Sequence, residues 1–243
     1  DGTNINAACG STHLENLIAC VKEKKLDIGI AFDGDADRVL CVDGNGEVVD
    51  GDMIMAILAL DMKARGTLKN NTVVGTIMSN LGFIRFCEAN DIRFSATKVG
   101  DRYVLEEMLL EDYVFGGEQS GHIIFKDFAT TGDGQLSAVQ LLAHIHRSGK
   151  KLAELKTVMT KYPQLIVNIR TTDAAKLAFY TDDDVRAILD EGKEKLGDRG
   201  RLVVRPSGTE PLIRIMAEGE DEAFTEAIAK QVAERIEEKL KVY

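Results

Sequence analysis

No stretch of this sequence holds the ~20 consecutive apolar residues that a membrane-spanning helix needs, and no signal-type segment precedes the first structural element. The reading is therefore a cytoplasmic protein that does not enter a membrane. No CxxC pair occurs among Cys9, Cys20, Cys41 and Cys87, so neither a zinc knuckle nor a dithiol centre is encoded. Each lies in or beside an apolar stretch and reads as a reduced core or near-core thiol. Nor is there a cluster of cations: 30 Lys and Arg stand against 40 Asp and Glu, a net charge of −10, which argues against nucleic acid as a partner. Internal repeats and low-complexity tracts are absent too. His144 and His146, two residues apart on a helix, point to different faces and cannot share a metal.

What is there is an ordinary globular balance, 44% hydrophobic and 29% charged over 243 residues, enough for one large domain or two smaller ones. The chain opens on Asp-Gly-Thr rather than Met and is read as an excised or processed piece. The periodicity predicts a helix over 14–24, a buried strand over 28–32 and a hairpin of 39–43 with 47–49 around Gly44-Asn45-Gly46. An apolar helix follows from Asp52 to Arg65, stopped by Gly66. From 72 to 116 strands and helices alternate at short spacing, the mark of a parallel-rich α/β layer, and a long helix over 134–148 ends at Gly149. Past Tyr162-Pro163 the pattern becomes α+β, with strands at 165–171, 201–205 and 212–217. Its last helix, 221–240, carries Phe224, Ile228, Val232, Ile236 and Leu240 as one apolar stripe.

Three short segments carry chemistry. The first, Asp33-Gly34-Asp35-Ala36-Asp37-Arg38, follows the buried strand; small spacers let three carboxylates curl toward one point, where their repulsion calls for a cation. All-oxygen donors suit Mg²⁺ or Ca²⁺, and the EF-hand pattern fails, with Arg38 at the sixth position and Gly44 at the twelfth. The bland reading is a solvated acidic turn. The second, Gly116-Gly117-Glu118-Gln119-Ser120-Gly121-His122, sets Glu118 and Ser120 at i,i+2, pointing the same way if the loop is extended, so that carboxylate and hydroxyl can meet vicinal sugar hydroxyls; a plain surface turn is the competing reading. The third, Arg205-Pro206-Ser207-Gly208-Thr209-Glu210-Pro211 with Arg214 beyond it, combines guanidinium, hydroxyl and backbone donors suited to an oxyanion. It is not a Walker loop, and a tight turn is its bland alternative. Lys98-Val99-Gly100-Asp101-Arg102 reads by itself as a capping turn before a helix.

In the same order, these segments resemble the metal loop, the sugar-recognition loop and the phosphate loop of the α-D-phosphohexomutases, which interconvert sugar 1- and 6-phosphates. The resemblance covers essentially the whole chain. Gln119 within the sugar loop, with Asp1-Gly2-Thr3-Asn4-Ile5-Asn6 and Lys98–Tyr103, resembles the glucosamine branch. The resemblance implies an α/β fold, a mixed or parallel-sheet part followed by a smaller α+β C-terminal domain. It implies the end of family domain two over 1–48, domain three over 49–158 and domain four over 159–243.

It further implies Mg²⁺ on Asp33, Asp35 and Asp37, with Arg38 beside the transferring phosphoryl group. Glu118 and Ser120 would hold the sugar, and Arg205, Ser207, Gly208, Thr209 and Arg214 the phosphate that does not react. Lys98, Asp101, Arg102 and His122 are the candidates for general acid or base, unranked by the sequence; some relatives have His where Asp101 stands. The family's phosphorylated serine lies in a Thr-Ala-Ser-His-Asn-Pro loop that these 243 residues do not contain, so the implied partners are the N-terminal domains of the same protein and a sugar phosphate. The oligomer, a homodimer included, is left open. A haloacid-dehalogenase-type phosphatase shares the strand-then-Asp33-x-Asp35 opening, but it would need Thr or Val where Asp37 stands and would leave 116–122 and 205–211 unexplained. A sugar-phosphate-binding piece without turnover is the other alternative.

Overall fold

The computed structural model describes residues 2–208 and 210–243 and divides the chain into two compact units, 1–161 and 162–243. The first unit opens with an irregular segment and helix α1 (Glu15–Lys24). Strands β1 (Ile28–Phe32), β2 (Val39–Asp43) and β3 (Val48–Val49) then form an antiparallel sheet in that order. Helix α2 (Gly51–Ala64) starts at Asp50, whose side chain accepts a hydrogen bond from the Met53 N–H, the usual way an aspartate satisfies an orphan donor at a helix start. Apolar on nearly every side, α2 is the centre of the core: Ile54, Met55, Ile57 and Leu58 are buried against Phe83, Phe115 and Leu141. Each such side chain contributes about 1.5–3 kcal/mol relative to exposure.

Strand β4 (Thr72–Thr76), helix α3 (Leu81–Ala89), strand β5 (Arg93–Thr97), helix α4 (Asp101–Leu110), and strands β6 (Phe115–Gly117) and β7 (Ile123–Phe125) follow. The sheet order is β5-β4-β6-β7, with β4 parallel to β5 and β6 and with β7 antiparallel to β6. The layer is thus mixed, because β6 and β7 are joined by a turn too short for a parallel crossover. Helix α5 (Gly134–Ser148) ends on Gly149 in the left-handed region, and α6 (Leu152–Leu155) completes the unit.

The second unit contains β8 (Gln164–Arg170), α7 (Asp173–Thr181), α8 (Asp183–Leu196), β9 (Gly200–Pro206), β10 (Leu212–Gly219) and α9 (Glu222–Leu240). Its sheet, β8-β10-β9, is entirely antiparallel, and its core is separate from that of the first unit. Ile228, Val232, Ile236 and Leu240 bury the α9 stripe as its spacing predicts. Phe224 departs from it: at the helix start it is exposed at its ring, with the Arg199 guanidinium 5.5 Å from the centroid. Cys41 and Cys87 are core thiols, and burial pushes both up to about 12; Cys9 instead is exposed, since the segment around it packs no core. No helix among the described residues is long and apolar enough to cross a membrane.

Candidate active site

The acidic loop is the β1–β2 connection. Its backbone turns tightly, with the Ala36 N–H donating to the Asp33 carbonyl and Ala36 held at φ +58. Asp33 Oδ1 accepts the Arg38 N–H at 3.2 Å. The Arg38 Nε lies 3.9 Å from Asp33 Oδ2 and 4.0 Å from Asp37 Oδ1, so one cationic group already stands between two of the three carboxylates. Asp35 is exposed on the same turn. Among the described residues, no three His, Cys, Asp or Glu side chains are gathered closely enough to hold a metal unaided. The donor set still fits a hard divalent cation: the ligand atoms are all carboxylate oxygens, and two of them already face a shared positive charge.

The glycine-rich segment is the β6–β7 hairpin. Expected as an extended loop, it is a tight turn, in which the Gly121 N–H donates to the Glu118 carbonyl and the Glu118 N–H to the His122 carbonyl. Glu118 and Ser120 therefore do not share a strand face; Ser120 is exposed at the tip, while Glu118 Oε1 accepts the Gly100 N–H at 3.1 Å. That bond brings the glycine-rich loop to the turn before α4. Gly100 has φ +128, a conformation glycine alone adopts readily.

His122 joins these loops to the acidic one. Arg38 and His122 form an antiparallel bridge, and the Val39 N–H donates to the Gly121 carbonyl. The His122 ring is buried, with Nδ1 3.1 Å from Asp37 Oδ2 and Nε2 4.0 Å from Asp101 Oδ2. So Asp33, Asp37, Arg38, Asp101, Glu118 and His122 form one constellation, in which Asp37 and His122 meet across 85 residues of chain. Lys98 and Arg102 do not join it by contact: Lys98 lies over the Tyr103 ring, and Arg102 is exposed, pairing with Glu106 one turn along α4 at 2.7 Å.

Three backbone positions that the motifs did not single out hold this constellation together. Gly51, at the start of α2, donates its N–H to the Gln119 carbonyl, and a Cβ there would meet Gly121 N at 2.7 Å and Gln119 O at 2.9 Å. Gly132 and Gly134 flank the cap of α5 and touch His122 and the acidic loop. Their only sequence signal is Gly-Asp-Gly ahead of a long helix.

The second unit carries the β9–β10 loop. Arg205 and Arg214 are cross-strand partners. Burial, and then the neighbouring Arg214 charge, lower the Arg205 pKa, and Arg205 Nε is buried without a hydrogen-bond partner. Arg214 reaches Asn168 Oδ1 at 3.2 Å and Glu210 Oε2 at 3.3 Å. Ser207 is buried; its N–H donates to the Leu212 carbonyl, and its hydroxyl oxygen accepts the Glu210 N–H, leaving the hydroxyl proton to donate elsewhere. The space around Gly208 is open, and Thr209 lies outside the described residues. Two adjacent guanidiniums, one with an unused buried donor, form a site whose charge balance improves when an anion binds.

Comparisons with known proteins give the family. Residues 4–46 match the model of phosphoglucomutase/phosphomannomutase alpha/beta/alpha domain II, 50–162 that of alpha/beta/alpha domain III, and 166–235 that of the C-terminal domain. The chain belongs to the phosphohexomutase family. Within it, the chain is 52% identical over 239 residues to a phosphoglucosamine mutase of Caldanaerobacter subterraneus subsp. tengcongensis, covering 98% of this chain and 54% of that one. It is likewise 52% identical over 240 residues to the phosphoglucosamine mutase of Brevibacillus brevis, covering 99% of this chain and 53% of that one. The chain thus spans about half the length of the curated relatives it matches. Among solved structures, a phosphoglucomutase/phosphomannomutase family protein from Burkholderia thailandensis superposes with a TM-score of 0.79 at 21% identity, over 96% of this chain and 51% of that one. Aspergillus fumigatus N-acetylphosphoglucosamine mutase, in complex with GlcNAc-6P and magnesium, superposes at 0.74 and 21% identity, over 95% of this chain and 57% of that one. At those identities the likeness is one of fold.

Proposed function

We propose that the protein carrying this chain is a phosphoglucosamine mutase, interconverting glucosamine 6-phosphate and glucosamine 1-phosphate through a 1,6-bisphosphate. The observation that carries the reading is the Arg38–His122 bridge, which sets the acidic loop and the sugar loop side by side. A phosphoserine outside these 243 residues gives its phosphoryl group to the sugar phosphate; the bisphosphate turns end for end and returns the other phosphoryl group to the serine. Arg38 neutralises charge on the transferring group, Asp101 with Lys98 and Arg102 border it at the head of α4, and Glu118 and Ser120 orient the sugar. Arg205, Ser207, Gly208, Thr209 and Arg214 hold the phosphate at rest, so that binding energy away from the reacting atoms orients those that react.

Asp33, Asp35 and Asp37 would hold Mg²⁺, which supplies charge stabilisation to the transferring phosphoryl group when bound. The metal site rests on the chemistry of the donors and on Arg38 lying between two of them. Free thiols, two of them in the core, support a cytoplasmic setting. The test is a mutase assay with glucosamine 6-phosphate and Mg²⁺ on the full-length protein and on residues 1–243 alone. The full-length protein turns over, whereas the 243 residues bind phosphate without turnover until the serine-bearing domains are supplied in trans. A full-length protein that hydrolyses the sugar phosphate instead of isomerising it would overturn the assignment.

A further inference from the structure

The sheet order β5-β4-β6 puts the carboxyl end of β4 between the two segments that the Gly100–Glu118 hydrogen bond ties together. Gly100 follows β5 and Glu118 follows β6, strands about 9.5 Å apart with β4 between them, so the bond passes over the end of β4. The turn from β4 into α3, Ile77-Met78-Ser79-Asn80, is therefore the floor of the crevice at the carboxyl ends of three parallel strands, where open α/β sheets take ligands. This turn spends its polar groups on itself and its neighbours. The Thr76 N–H donates to Ser79 Oγ at 3.3 Å, the Ile77 N–H to the Thr97 carbonyl at 2.9 Å and the Met78 N–H to Thr76 Oγ1 at 3.1 Å. The Ser79 N–H donates to the Thr76 carbonyl at 3.0 Å and the Asn80 N–H to Asp52 Oδ2 at 2.7 Å. Thr76, Ser79 and Asn80 are buried, whereas Ile77 and Met78 stay half-buried, and among the described residues neither packs against an apolar core.

Apolar side chains that a rigid turn holds in a crevice, and that no core uses, are placed for a ligand. We infer that Met78, with Ile77 beside it, is a specificity-determining residue: it gives the bound sugar an apolar floor without charge or free backbone N–H donors, which admits a hexose bearing an ammonium group. The charged groups around that floor suit such a sugar. Glu118 crosses above it and Asp101 stands at the head of α4, while the Lys98 ammonium lies over the Tyr103 ring at 5.7 Å. A cation placed on the floor would repel a protonated amino sugar and spare a neutral hexose, so the uncharged floor is what separates the two. The inference rests on the proposed binding of the sugar phosphate beside Glu118 and Ser120.

The test compares glucosamine 6-phosphate with glucose 6-phosphate on the full-length protein, by titration calorimetry and by mutase assay, in the wild type, Met78→Lys and Met78→Gln. Met78→Lys, close to methionine in length, lowers affinity and kcat/KM for glucosamine 6-phosphate about tenfold relative to glucose 6-phosphate. Met78→Gln, polar but uncharged, weakens both sugars about threefold and leaves their ratio unchanged. Equal losses for the two sugars in Met78→Lys, or no loss for either, overturn the inference. If Met78→Lys fails to fold, Met78→Gln decides alone: undiminished affinity for both sugars removes the floor from the site. A shifted binding ratio in Met78→Lys, with no isomerisation by the wild type, leaves the floor standing and sinks the mutase assignment. The same shift, with affinity unchanged in Glu118→Ala, leaves the floor standing and removes Glu118 from the sugar.

Discussion

Arg205 and Arg214 stand opposite each other across β9 and β10, two guanidiniums on one cross-strand pair, and Arg205 Nε is buried with no acceptor. Like charges at that spacing destabilise a sheet by up to about 1 kcal/mol, and Arg214 lowers the Arg205 pKa in the same sense. If the pair serves the proposed phosphate site, the stability it costs without a ligand is recovered when an anion binds. Arg205→Met should therefore raise the stability of the phosphate-free protein by about 0.5–1 kcal/mol and abolish the stabilisation that phosphate confers on the wild type. Urea unfolding with and without phosphate reads both. Unchanged phosphate stabilisation in the variant would remove Arg205 from the site.

The acidic loop predicts a different division. Asp35 is exposed, so Asp35→Asn should alter stability by no more than about 0.5 kcal/mol. It should nonetheless lose most of the Mg²⁺-induced change in the Asp33 and Asp37 carbonyl and carboxyl resonances, because one of three ligands is gone. Retention of the full Mg²⁺ response would show that the ion binds elsewhere.

Lys156, just beyond α6, lies 2.6 Å from Asp43 Oδ2 at the end of β2 and also pairs with Glu47. Burial alone would push the Asp43 carboxyl up, but the Lys156 contact and the Glu47 and Asn45 N–H groups outweigh it and hold the pKa below its ordinary value. A depressed pKa contributes stability above the unfolded value of about 3.9, and that stability is lost as pH falls through the folded value. Lys156→Met should cost about 2–4 kcal/mol at neutral pH, because a buried carboxylate loses its partner. The gap between variant and wild type should narrow as pH falls below the ordinary carboxylate range and through the lowered Asp43 value, since protonation removes the charge that Lys156 partners. Denaturation across that range decides; a gap independent of pH would mean that Lys156 acts by packing alone.

Gly51 supports the sugar-loop turn from the start of α2, with no room for a Cβ between itself and the Gly121 and Gln119 backbone. Gly51→Ala should destabilise the first unit by about 1–3 kcal/mol and weaken binding of a hexose phosphate, since the turn bearing Glu118 and Ser120 must shift. Calorimetric titration of the variant with glucosamine 6-phosphate checks this, and an unchanged affinity would disconnect the turn from the sugar.

The sequence alone determined most of the elements and marked the three loops as candidates for chemistry. Helix α2 is legible because its apolar residues run on every face, α5 because Gly149 stops it, and α9 because Ile228, Val232, Ile236 and Leu240 recur every four residues. The three loops are legible for the same local reason: a carboxylate or guanidinium beside glycine announces its chemistry within a few residues. Tertiary structure decided which of these groups meet. The Glu118–Ser120 loop is a tight turn because β6 and β7 pair antiparallel, a choice made by strands that are too short to signal their partners. Arg102 turns to Glu106 instead of the site because its own helix offers a carboxylate one turn along. His122 faces both Asp37 and Gly132 because the acidic turn, the hairpin and the cap of α5 converge. Hydrogen bonds and excluded volume between residues far apart in the chain set that convergence, and local periodicity carries no record of it.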